Sequence, residues 1–81
     1  MDTQLFLNWL TNEKAFSKRA AKDVISRCRR VYKILESEQL NRHSLINLQE
    51  APEYQESSLF VKSQLKRAII LYLEFTNSVD K

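Results

Sequence analysis

The sequence predicts an all-α fold, a compact four-helix bundle in which one helix is short. Three observations carry that expectation. Apolar residues recur at three-, four- and seven-residue intervals along two long segments. No segment alternates with period two for long enough to make a strand. The chain has no glycine and one proline, Pro52, which excludes Asn-Gly hairpins and glycine-rich phosphate loops. At 81 residues, 43% apolar and 28% charged, residues 1–81 read as one globular domain rather than two lobes around a cleft.

The first helix is expected from about Thr3 to Asn12, with Leu5, Phe6, Trp9 and Leu10 at helical spacing and Asp2 or Thr3 as cap. The second starts after Ser17, a good N-cap, and runs to about Glu36. Its Ala20, Ala21, Val24, Ile25, Cys28, Val31, Tyr32 and Leu35 fall within an arc of roughly 140° at 100° per residue, the stripe of a helix packed on a core. A short third helix, roughly His43 to Ala51, ends before Pro52 and offers Leu45, Ile46 and Leu48. Tyr54 falls in the loop that follows. Ser57 or Ser58 caps the fourth helix, which runs to about Asn77 and turns Val61, Leu65, Ala68, Ile69, Tyr72 and Phe75 inward.

Charge is segregated along the chain. The formal net charge is only +3, yet residues 14–35 hold eight cations against Asp23, net +7, and residues 36–60 hold five glutamates against Arg42, net −4. Such asymmetry gives the molecule one face for a polyanion. On the second helix Lys18, Lys22, Arg29 and Lys33 share an arc of roughly 60°, close to opposite the apolar stripe. Arg19, Arg27 and Arg30 lie on a flank with Asp23, which stands four residues from both Arg19 and Arg27 and is expected to neutralise part of it. Lys18, Arg19 and Lys22 occupy the first two turns, where positive charge opposes the helix dipole, a small cost that a binding requirement explains. Phosphates attract such a row, and counterion release supplies free energy. The plainer alternative is a solvated face, because Lys and Arg are good helix formers.

A set of residues resembles a known family. Phe6-Leu7-Asn8-Trp9-Leu10 opens the chain, a capped helix begins Ser17-Lys18-Arg19-Ala20, and a Leu-rich helix and a serine pair follow. The last helix, Val61-Lys62-Ser63-Gln64-Leu65-Lys66-Arg67-Ala68-Ile69, ends Tyr72-Leu73-Glu74-Phe75. Nearly the whole chain thus resembles the SAM-like N-terminal, or core-binding, domain of phage integrases and tyrosine recombinases. That resemblance implies a non-catalytic module that clamps double-stranded DNA, with helices entering the major groove. By position it puts Lys18, Arg19 and Lys22 at the DNA, with Lys62, Lys66 and Arg67 as a second strip. Lys14, just ahead of the basic helix, joins this candidate set with Arg29 and Lys33. The family's catalytic tyrosine and Arg/His set belong to a separate C-terminal domain.

No enzyme activity, cofactor, metal or small-molecule substrate is expected. His43 has no second histidine to work with, and Cys28 sits at the centre of an apolar stripe as a small buried hydrophobe. One Cys and one His are too few for a structural zinc site. A lone cysteine, the absence of an eighteen-residue apolar run and an opening Met1-Asp2-Thr3-Gln4 without basic residues fit a soluble, cytoplasmic protein. A different class of function rests on the fourth helix, where Ala68 to Leu73 is apolar on every face. Either helices 1 and 3 wrap Ile70, or it is exposed and serves a protein partner or a homodimer.

Overall fold

The computed structural model describes residues 2–37 and 39–79. It is all-helical: α1 (Thr3–Asn12), α2 (Lys18–Leu35), α3 (Arg42–Glu50), α4 (Pro52–Gln55) and α5 (Leu59–Val79), with no strand among the described residues. The expected four helices are present, and a fifth, α4, occupies part of what reads as the Pro52 loop. Proline pre-sets the backbone for a first helical position and lacks only a donor that position leaves unused, so Pro52 both closes α3 and opens α4. The turn buries Tyr54, contrary to the loop placement expected for it.

Every helix start except that of α4, which has no side-chain cap, is fixed by a side-chain oxygen. Asp2 Oδ1 accepts from Leu5 N–H at 3.0 Å, Ser17 Oγ from Ala20 N–H at 3.1 Å and Ser58 Oγ from Val61 N–H at 3.2 Å. These choose Asp2 over Thr3 and Ser58 over Ser57 as caps. For α3 the bonds are reciprocal: His43 N–H donates to Asn41 Oδ1 and Asn41 N–H donates to Ser44 Oγ, both at 2.9 Å. Without glycine, two other residues among those described take left-handed backbone. Ala15, at φ 56°, turns the chain between α1 and α2, and Glu36, at φ 51°, ends α2 as Ser37 N–H reaches back to the Tyr32 carbonyl.

Helix α2 is central and packs chiefly on α5 and α1, while α3 leans on α2, α4 and α5. The core contains Phe6 and Leu10 of α1, then Ala21, Val24, Ile25, Cys28 and Val31 of α2. Leu40, Leu48 and Tyr54 close one end, and Leu65, Ala68, Ile69, Leu71 and Phe75 of α5 complete it. Phe6 is the aromatic hub. Its ring lies 5.1 Å from Phe75, 5.3 Å edge-on from Tyr72 and 6.2 Å from Trp9, within the range where ring pairs attract. Leu5 and Ile46, expected to face inward, are exposed, because two-residue apolar runs cannot turn both side chains to one narrow seam.

Burial sets the chemistry of Cys28. Its thiol donates to the Ala68 carbonyl at 3.5 Å, and desolvation raises its pKa from 9.0 to about 12. A thiol so protonated is no nucleophile. Desolvation, then the neighbouring Tyr72, likewise hold the Tyr32 phenol above its ordinary range.

Candidate nucleic-acid interface

All four stripe cations of α2, Lys18, Lys22, Arg29 and Lys33, are exposed, as are Arg19 and Arg30, while Arg27 is half-buried. The helix rises about 1.5 Å per residue, so Lys18 and Lys33 mark the ends of a row about 22 Å long. Its position differs from the expected one in one respect. Lys22 and Arg29 border a groove of about 310 Å³ whose other wall is Thr3 and Leu7 of α1. The row therefore stands on the α1-facing shoulder of α2 rather than diametrically opposite the core.

Among the described residues one ion pair is shorter than 4 Å: Lys14 Nζ to Glu74 Oε2 at 2.6 Å. No carboxylate of those residues reaches the α2 row. The pairing expected of Asp23 with Arg19 and Arg27 is not made within 4 Å, although Asp23 lines the same groove as Arg27. An exposed ion pair gains about 0–1 kcal/mol, little against the entropy of holding two long side chains together. Glu38, one of the five glutamates of residues 36–60, lies outside the described residues.

The remaining candidates separate. Lys14 is engaged by Glu74 and lies 5.5 Å from the centre of the Trp9 ring, on the α1–α5 side. Lys62 stacks 5.8 Å from the Tyr54 ring, beside α4, with half-buried Lys66 one turn further along the same flank. Arg67 is on the other flank of α5, 5.8 Å from the Phe16 ring. One hundred degrees per residue explains the split: Lys62 and Lys66 are about 40° apart, Arg67 about 100° beyond Lys66. The expected strip of three is thus a pair and a separate arginine.

Ile70 is 44% exposed, so α1 and α3 do not wrap it. It borders a groove with Arg42, Leu73 and Glu74. More apolar surface is exposed at the start of α5, where Leu59 is 82% and Phe60 70% exposed. Sequence reasoning passed over both. Their signal was available, since each falls at least about 100° from the centre of the α5 core stripe.

Other chemistry has little to work with. His43 is exposed in the first turn of α3, Cys28 is enclosed, and among the described residues no three His, Cys, Asp or Glu side chains gather as a metal site. No helix of the described residues is long and apolar enough to cross a membrane. Set against known proteins, the chain matches no family model, no curated protein and no solved structure.

Proposed function

We propose that the protein is a non-catalytic, cytoplasmic module that binds double-stranded DNA through α2, in the manner of the core-binding domains that its sequence resembles. The observation that carries this reading is the row Lys18, Lys22, Arg29 and Lys33: exposed, about 22 Å long, and with no carboxylate of the described residues within 4 Å. Binding runs through phosphate contacts, which position a helix on the duplex without reading its sequence. An α-helix fits the width of the major groove, and the flanking Arg19 and Arg30 extend the contact around it. Lys62 and Lys66 offer a second phosphate contact from α5. Lys14 contributes less, because Glu74 already neutralises it.

A chemical-shift map with and without a short duplex tests the proposal. The expected result is a set of perturbations along the exposed side of α2, from Lys18 to Lys33, with smaller ones at Lys62, Lys66 and the neighbouring Tyr54, and α3 unaffected. Perturbations centred on α3 or α4, or none at low salt, overturn it.

A further inference from the structure

We propose that the groove between α1 and α2 seats one phosphodiester of a DNA strand, so that α1 joins α2 in holding the duplex. This assignment rests on the duplex-binding reading and adds to it two hydroxyls and a second helix. The groove, of about 310 Å³, is lined by Lys22, Ile25, Ser26 and Arg29 of α2 and by Thr3 and Leu7 of α1. Lys22, Ser26 and Arg29 fall within an arc of about 60°, with Lys22 about 6 Å before Ser26 along the helix axis and Arg29 about 4.5 Å after it. Counted turn by turn from Lys18 to Lys33, Ser26 stands where the row would carry its next cation. Its short side chain leaves an opening between two long cationic ones, and the groove lies at that opening.

The lining identifies the chemistry of the occupant. Thr11, Ser57 and Thr76 each turn their hydroxyl back to a backbone carbonyl three or four residues earlier. Ser26 is exposed and Thr3 half-buried, and neither makes such a bond among the described residues, so both hydroxyls remain as donors for a ligand. With the Lys22 ammonium and the Arg29 guanidinium they form a set of donors from two helices, suited to the unesterified oxygens of a phosphate. No carboxylate lines the groove: Asp23 lines the α2–α5 groove instead, and Asp2, beside Thr3, accepts from Leu5 N–H as the α1 cap. Leu7 and Ile25 add apolar surface, which a free phosphate ion has no use for and the carbons of a deoxyribose can cover. Cations, hydroxyls and an apolar floor together match a sugar–phosphate backbone. Contacts of this kind fix where a protein sits on the duplex and carry no sequence information.

The test removes the hydroxyls and leaves every charge in place. The double variant Thr3→Val and Ser26→Ala is expected to bind a short duplex about tenfold more weakly, since hydrogen bonds to a charged group are lost. Its log–log salt slope is expected to equal that of the wild type, because the number of neutralised phosphates is unchanged. Alanine is the better helix former at position 26, so thermal circular dichroism is expected to show the fold intact. Ser63→Ala, in the α2–α5 groove, is expected to leave affinity unchanged. In amide spectra the duplex is expected to shift Thr3, Leu7 and Ser26, whereas inorganic phosphate at the same phosphate concentration is not. A double variant that binds as the wild type does overturns the seat and leaves duplex binding through α2 standing. Duplex shifts that spare Thr3 and Leu7 overturn the part given to α1, and equal shifts with inorganic phosphate overturn the choice of a DNA strand as occupant. A wild type that binds no duplex at low salt overturns the seat and the duplex reading together.

Discussion

Lys18→Glu separates folding from binding, because the two respond in opposite directions. Lys18 is the first residue of α2, exposed, directly after the Ser17 cap, and no acidic residue occupies that first turn. Unsatisfied N–H groups make a helix start partly positive, so a cation there is unfavourable and an anion favourable, each by about 0.3–1 kcal/mol. Solvent screening at an exposed site places the reversal near the low end, about 0.5–1 kcal/mol. The new carboxylate also stands four residues before Lys22, a favourable helix pair of about 0.2–0.5 kcal/mol. For a domain of this size each kcal/mol raises Tm by about 4–8 °C, so a rise of several degrees is expected at low ionic strength. The same change removes one phosphate contact, lowering duplex affinity and reducing the log–log salt slope by about 0.9. Thermal circular dichroism and fluorescence anisotropy read the two effects on one sample. A lower Tm, or a raised Tm with unchanged affinity for DNA, refutes the reasoning.

Phe6→Ala empties the aromatic hub, and large-to-small changes at fully buried aromatic residues cost about 3–5 kcal/mol; urea unfolding followed by Trp9 fluorescence is expected to show the loss of much of the native baseline. Glu36→Gly relieves left-handed backbone at the end of α2 and is expected to stabilise by about 1 kcal/mol in the same assay, whereas Glu36→Ala gains nothing comparable. Alkaline pH acts through Cys28: its folded pKa, about 12, lies above the ordinary 9.0, so stability is full below pH 9 and falls as pH rises toward 12. Tyr32 adds to that fall with the same sign, and Cys28→Ala is expected to flatten part of it in denaturation curves at pH 8 to 11. Lys14→Ala is expected to weaken duplex binding less than Lys22→Ala in parallel titrations, since only Lys14 is ion-paired.

Legibility from sequence followed the strength of the periodic signal. Long amphipathic runs placed α2 and α5 closely, since eight stripe positions on one helix overdetermine its buried face. Serine and aspartate caps placed the helix starts to within a residue. Short-range geometry was harder to read. The turn at Pro52–Gln55 carries too few residues for a period, and its one apolar anchor, Tyr54, has no partner at helical spacing. Leu5 and Ile46 each sit beside another apolar residue, and only tertiary packing decides which of two neighbours turns inward. For the candidate interface, a helical wheel grouped the α2 cations because they share one straight element. It says nothing of which loop folds against which helix, so the Lys14–Glu74 pair, formed across 60 residues of sequence, was out of its reach. Relative positions on α5 were within its reach: angular arithmetic already divides Lys62 and Lys66 from Arg67, and the Tyr54 and Phe16 rings show what lies on each side.

Titration of a short duplex by fluorescence anisotropy across a series of salt concentrations measures the central claim most directly. Four cations of the α2 row, each neutralising one phosphate, give a log–log slope of roughly −3.6. The triple variant Lys18→Glu, Lys22→Glu and Arg29→Glu is expected to abolish most of that affinity while remaining helical. Immeasurable binding at low salt, or a triple variant that binds DNA as the wild type does, contradicts the account.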